Sequence, residues 1–482
     1  MTREETIKHS LDYFDNGSFK KDLSKLIEIP TESQVKTGIK HCLRYLNSSM
    51  IPAFEAMGFK TKIYENPIPN AGPILLATRI EDPDLPTVLG YGHGDVILGF
   101  DESWTKGSGP WKATQVGDLL YGRGTADNKS QHWINMSALR SLLSIRGNLG
   151  FNAKFIIETS EENGSKGLRE VISSDLSAFS ADVFIASDGP RVRQDWPTIS
   201  LGARGAINFD LTCNLREGGH HSGNWGGALP DPGIILSQAI SCITTSTGEL
   251  KIREWRPEMP STEVRDLLRD IRLDAGKDGP IPDSNWGEPS FSSAENVFAW
   301  NSFTVLAMTA GNPQNPINAI APNSRAHCQL RYIAGTKLDQ ILPSLRRHLD
   351  EMGFSNVKIE QPPLENQGGF LASRTEISNP WVSVVRQSLK ETCGVDPAII
   401  PQMGGSICND LFTDLLGLPA IWVPHSYSGC SQHAPDEHII LPVCRQALSL
   451  MAGLYWDLGK PIVWLALQLV TLLASQDPSR AQ

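Results

Sequence analysis

Seven residues along the chain have side chains and settings suited to divalent-metal chemistry: His93, Asp95, Asp127, Glu161, Glu162, Asp188 and His433. One ligand contributes too little to hold a metal ion, so several nitrogen or oxygen donors must converge from different segments. His93-Gly94-Asp95 follows the apolar run Thr87 to Gly92, Glu161-Glu162 follows Ala153 to Ile157, and Asp188 follows Val183 to Ala186. Ligand sites in open α/β sheets collect beyond the carboxyl ends of strands, so three strand ends would present acids and an imidazole to one crevice. The spacing lets Asp95 hydrogen-bond the far nitrogen of His93, as carboxylates do behind metal-bound imidazoles. Two adjacent acids in a strand-end loop can serve one site in two roles, one as ligand and one as base. Asp127 ends the run Gly122-Arg123-Gly124-Thr125-Ala126-Asp127, whose glycines let the backbone bend tightly before a helix expected to start near Ser130. His433 stands in a polar loop with Pro435, which excludes regular structure there. Taken singly, each residue also has a plain structural use: Asp127 as a helix N-cap, Glu161-Glu162 as a solvated charge pair, Asp188 in an Asp-Gly turn, His433 as a surface histidine.

The elements that must position these residues follow from the pattern of apolar runs. Between Pro73 and Gly189 short apolar runs alternate with helix-period stretches, the sign of a mainly parallel sheet flanked by helices, an α/β catalytic core. From about Leu201 to Glu360 the order becomes strand, long helix, strands, helix (Lys337 to Glu351), strand, which reads as an inserted α+β sandwich. Trp381 to Leu389 is again helical, and Ala398 to Ile400 and Ala420 to Val423 are again strand-like, so the chain returns to its first core. The expected division is 1–200 for the first part of the catalytic domain, 201–365 for the insert, and 366–482 for the second part. A chain of 482 residues with 40% hydrophobic content is long enough for two full cores.

Composition narrows the function classes. Lys plus Arg (43) against Asp plus Glu (53) gives a net charge of -10, which argues against a nucleic-acid partner. Met1 to Asp15 has no continuous apolar stretch of the secretory kind, so a cytoplasmic location is expected. Pro461 to Ala474 is apolar but too short to cross about 30 Å of hydrocarbon as a helix, and a docked C-terminal helix with no membrane role is expected. The eight cysteines are scattered without a C-x-x-C pair, so they read as reduced and mainly structural.

Together the motifs resemble those of the zinc peptidases that include carnosinases, cytosolic non-specific dipeptidases, aminoacylases, acetylornithine deacetylases and succinyl-diaminopimelate desuccinylases. The resemblance covers roughly residues 20 to 455. It rests on Gly92-His93-Gly94-Asp95-Val96, the Gly122 to Lys129 run, Glu161-Glu162-Asn163-Gly164-Ser165, Ser187-Asp188-Gly189, His220-His221-Ser222-Gly223 with Gly226-Gly227, and the His433 loop. It implies two zinc ions per subunit, with Mn2+ or Co2+ as alternatives: one on His93 and Asp188, one on Glu162 and His433, with Asp127 bridging. It also implies a water activated between the ions, Glu161 as general base, and the insert as a lid and dimerisation domain. His221 would stabilise the oxyanion from the lid of a partner subunit, so a homodimer is implied. His220 is the adjacent alternative.

The resemblance is nearest the dipeptidase branch, which implies a small peptide or N-acyl amino acid substrate cleaved beside a free carboxylate. Arg331 resembles the lid arginine that receives that carboxylate, a task for which a planar donor fork is suited. Gly404-Gly405-Ser406 resembles the family's glycine loop, and Asn318 is a further candidate for reaching the substrate. Two departures from the pattern stand out. Val96 to Gly99 occupies the place where a proline usually follows, ahead of a stretch with Trp104 and Trp111 that would either line the pocket mouth or pack elsewhere, and Asn128 replaces a frequent acid. Amidohydrolysis of N-acyl or N-carbamoyl amino acids, or of another small amide, is the alternative activity. A non-catalytic binding protein on this fold would lack the base or a ligand, and all those positions are filled.

Overall fold

The computed structural model describes residues 1–277, 279–362 and 370–461. Its central sheet has eight strands in the order Lys60–Tyr64, Ile74–Arg79, Asn152–Glu158, Thr87–His93, Val183–Ala186, Ala420–Trp422, Thr198–Ser200, Ala398–Ile400. The middle pairings are parallel, as are Thr198–Ser200 with Ala398–Ile400, whereas the first two pairings and the single contact of Ala420–Trp422 with Thr198–Ser200 are antiparallel. The sheet is therefore mixed and mostly parallel, with Ile74–Arg79, Thr198–Ser200 and Ala398–Ile400 running against the central strands.

Successive strand residues enter opposite cores, as the two-residue period of a strand requires. Val88, Phe155, Ile157, Val183, Ile185 and Ile421 face one core, which the helices Lys129–Arg146 and Leu441–Leu458 cover. Leu89, Tyr91, Ile156, Phe184, Ala420 and Trp422 face the other. With both faces covered, the strands read as unbroken apolar runs. Gly92 permits the tightest of these contacts, since a Cβ there would lie 2.3 Å from Cβ of His132 on the Lys129–Arg146 helix.

A second, antiparallel sheet runs in the order Ser302–Ala310, Asn323–Tyr332, Gly205–Asn214, Val357–Glu360. Helices Pro232–Ser241 and Leu338–Glu351 pack on one face around Trp255. The long helix expected early in this stretch is the short Pro232–Ser241, opened by Asp231, whose carboxylate accepts from the amides of Gly233 and Ile234. Two further helices, Thr262–Leu268 and Ser293–Phe298, leave this sheet and bury Val264, Leu268, Ala294 and Phe298 in the second core of the central sheet.

All eight cysteines are free, and all but Cys393 are buried. Among the described residues no helix is long and apolar enough to cross a membrane. The expected C-terminal helix over Pro461 to Ala474 lies outside the described residues from position 462 onward.

Candidate metal centre

His93 is the last residue of its strand, Glu161 and Glu162 follow Asn152–Glu158, and Asp188 follows Val183–Ala186, so all four leave the same end of the sheet. Asp127 arrives from the turn before Lys129–Arg146. It is not the helix N-cap, a position held by Asn128. His433 comes from the loop after Ala420–Trp422 and has a left-handed backbone, with φ of 59°.

These side chains form two trios that share Asp127. In each trio, His93 with Asp127 and Asp188, and Asp127 with Glu162 and His433, the ligand atoms lie within 4.8 Å of one another. Nε2 of His93 is 2.9 Å from Oδ1 of Asp127 and 3.7 Å from Oδ2 of Asp188. Nε2 of His433 is 3.2 Å from Oδ2 of Asp127 and 3.1 Å from Oε2 of Glu162. The two oxygens of Asp127 thus face two different imidazoles.

Asp95 lies behind this cluster, with a role that differs from the expected one. Nδ1 of His93 is 3.1 Å from the main-chain oxygen of Asp95 and 3.6 Å from its carboxylate. The carboxylate instead accepts from the amides of Glu161 (3.2 Å) and Glu162 (3.1 Å), fastening the two-acid turn to the His93 strand end.

The electrostatics are those of an acid cluster short of positive charge. Burial and the nearby Asp127 push Glu162 up to about 7 and Asp188 to about 6. Glu161 is raised well above the usual carboxylate range by burial, against the pull of His93 and with the push of Glu162, Asp188 and Asp127. Burial also opposes ionisation of Asp127, but the hydrogen bonds with His433 and His93 outweigh it and hold this carboxyl below its usual range. Hydrogen bonds to Asp127 and Glu162 hold the His433 imidazolium up to about 11. Buried carboxylates converging with two imidazoles, all nitrogen and oxygen donors, fit divalent cations.

A cavity of about 650 Å³ opens beside the cluster, and Asp127, Glu161, Asp188, His433, Gly404, Gly405 and Ser406 all line it. Arg331 reaches its edge by donating from Nη1 to Oγ of Ser406 (3.1 Å). His221 and Asn318 lie elsewhere. His221 pairs with Ala319 in a two-stranded ladder, the amide of Ser222 donates to the Asn318 carbonyl, and these exposed residues do not line the cavity. Trp104 and Trp111 are also absent from the lining. Trp104 packs 5.7 Å from the Arg123 guanidinium and donates to the Gly99 carbonyl. Asn128, in place of an acid, donates to the Ser187 carbonyl (2.9 Å).

Two positioning residues went unread in the sequence. Glu437 accepts from the amides of Gly124, Ala126 and Asp127 and from Arg123, so it holds the Asp127 turn against the His433 loop. The signal was a glycine-rich turn whose amides need an acceptor. Arg204 donates from Nε to the Gly404 carbonyl (2.9 Å) and from Nη1 to Ser302 (3.2 Å), and burial, with Arg331 adding to it, pushes its guanidinium down to about 9.

The match to the family model described as peptidase family M20/M25/M40 spans residues 89–457, from the His93 strand to beyond the His433 loop. This chain belongs to that family. It is a metal-dependent hydrolase, a metallopeptidase. The Beta-Ala-His dipeptidase of Homo sapiens is 30% identical over 446 residues, covering 87% of this chain and 82% of that protein. The Beta-Ala-His dipeptidase of Mus musculus is 35% identical over 215 residues, covering 43% of this chain and 42% of that protein. Among solved structures, an M20 family metallo-carboxypeptidase from Sulfolobus solfataricus superposes with a TM-score of 0.76 at 22% identity, covering 92% of this chain and 99% of that one. That last likeness is one of fold.

Proposed function

We propose that this M20 metallopeptidase is a dinuclear-zinc dipeptidase that cleaves a peptide bond next to a free carboxylate. The observation that carries the reading is the sharing of Asp127 between two ligand trios with Glu161 on the wall of the same cavity. Relatives named as Beta-Ala-His dipeptidases support the substrate class. In the proposed assignment His93, Asp127 and Asp188 hold one zinc, and Asp127, Glu162 and His433 hold the other, with Mn2+ or Co2+ as substitutes. Bound zinc supplies Lewis acidity and lowers the pKa of water towards neutrality.

Glu161 accepts the proton of the attacking water and returns it to the departing amine, and its raised pKa suits a group that must hold that proton in between. Arg331, steadied by Ser406, takes the substrate carboxylate in its donor fork. His221, with Asn318 beside it, completes the oxyanion site from a second subunit. Homodimerisation is supported by the edge strand Ser302–Ala310, where Val305, Leu306 and Met308 are 36%, 50% and 40% exposed next to Ile234 at 65%. In this reading residues 201–365 are the lid and dimerisation unit between catalytic segments 1–200 and 366–482, with Thr262–Leu268 and Ser293–Phe298 tying the lid back to the catalytic core. A cytoplasmic location agrees with eight free cysteines.

Metal analysis of the purified chain, followed by a panel of dipeptides, N-acyl amino acids and N-carbamoyl amino acids, tests the reading. Two equivalents of metal and preferred turnover of dipeptides are expected. Turnover confined to the acylated or carbamoylated amino acids would replace the dipeptidase assignment, and inactivity of the loaded chain on every substrate would overturn it.

A further inference from the structure

The cavity beside the metal cluster is larger and more apolar than two small residues require. Its lining includes Asp127, Glu161 and Asp188 from the acid cluster and Gly404, Gly405 and Ser406, the last of which accepts from Arg331. The rest of the lining is largely apolar, with Val192, Leu273, Val297, Phe298, Ile400 and Met403 as its larger side chains. Leu273, Val297 and Phe298 belong to the excursion that leaves the second sheet and packs on the central core, so half of this wall is independent of the loops that carry the ligand trios. Among the described residues, the charged ones on the lining outside the acid cluster are Arg191 and Asp274. Arg191 donates from Nε to the Pro424 carbonyl (3.1 Å) and from Nη1 to Gln446 (2.6 Å), leaving Nη2 unpartnered, and Asp274 accepts from the Gly276 amide (2.9 Å).

We propose that this cavity is the pocket for the side chain of the substrate residue that carries the free carboxylate, and that it selects large apolar side chains of the leucine, methionine and phenylalanine class. The proposal rests on the dipeptidase reading given above. Glu161 and Ser406 line one cavity, so a carboxylate held at Arg331 and Ser406 and an amide bond held at Glu161 leave the α-carbon of that residue inside it. Its side chain then has the apolar wall as its nearest surface. Filling such a wall releases water from both partners, whereas glycine leaves it wet and an acidic side chain is desolvated against it, the Arg191 guanidinium being itself buried.

The experiment compares kcat/KM of the metal-loaded wild-type chain on dipeptides with alanine at the amino end and glycine, leucine, methionine, phenylalanine, aspartate or lysine at the carboxyl end. The apolar residues are expected to exceed glycine by about tenfold or more, the scale of one or more methylenes in an apolar pocket. Val297→Asp should lower the rate on alanyl-leucine by about tenfold or more and raise that on alanyl-lysine, with metal content unchanged, and Val297→Ala should cause a smaller loss. Glycine equal to or better than leucine, or aspartate best of all through Arg191, would overturn the pocket assignment while leaving the dipeptidase reading intact. If no dipeptide is turned over, the dipeptidase reading fails separately. Calorimetric binding of leucine, phenylalanine and glycine to the loaded chain then decides the pocket, with equal affinities counting against it.

Discussion

Arg123 and Glu437 form a 2.7 Å ion pair in which each side chain is only 1% exposed. The same carboxylate holds the amides of the turn that delivers Asp127. Removing one partner of a buried pair leaves the other charge uncompensated, at a cost of about 3–5 kcal/mol. Glu437→Ala should therefore lower the melting temperature strongly and weaken metal retention, although Glu437 is not among the proposed ligands. Unchanged melting and metal content would show that the turn does not depend on this anchor.

Glu161→Gln should keep the full metal complement and lose about 10² to 10⁴ in kcat, because the amide retains the shape but cannot accept the water's proton. Metal content and rate need to be measured on the same preparation. Activity within about tenfold of wild type, below the usual contribution of a general base, would remove Glu161 from that role.

Metal stoichiometry separates the proposed bridging residue from the proposed terminal ligands. Asp127 touches both imidazoles, so Asp127→Ala should lose both ions, whereas Glu162→Ala or His433→Ala should lose mainly one. Two equivalents retained by Asp127→Ala would overturn the bridge.

Metal uptake should release protons. Without metal, His433 holds its proton up to about 11 and Glu162 titrates at about 7, yet both must be deprotonated to bind a cation. The sign follows directly: protons compete with metal more strongly as pH falls, so affinity should rise with pH from 6 to 8. Calorimetry in buffers of different ionisation enthalpy should report at least one proton released per chain at pH 7. A binding heat independent of the buffer would contradict this.

His221→Ala should depress kcat by about 10² to 10³, the scale for loss of one oxyanion donor, with metal content unchanged. Mixing inactive Glu161→Gln chains with His221→Ala chains should restore part of the activity, since one cleft of the mixed dimer has both groups. Verified subunit exchange without recovery, or an active monomer, would rule out a shared site.

What was legible in the sequence depended on how local the cause is. His93, Glu162 and Asp188 were readable because each follows a short apolar run, and the glycine-rich turn before Asp127 placed the start of the helix Lys129–Arg146 near Ser130. The reversed direction of Ile74–Arg79 was not readable, because strand direction is set by partners remote in sequence. Thr262–Leu268 and Ser293–Phe298 are too short to show a period, so their burial against the central core was hidden. Glu437 and Arg204 escaped because their partners are main-chain groups, which carry no residue identity. His221 and Asn318 came together, at a distance from the cavity lining that no motif encodes.

The span of the proposed ligand set, from His93 at the end of Thr87–His93 to His433 just before the helix Leu441–Leu458, also bears on how the protein is made. A ribosome-bound chain has no complete ligand trio of the second kind until the His433 loop has emerged, and a fragment that ends before it presents acids without their second imidazole. An ion that binds only the finished fold stabilises it by mass action and does nothing for partial products. Metal supply during synthesis would then reward only chains whose translation has passed the His433 loop.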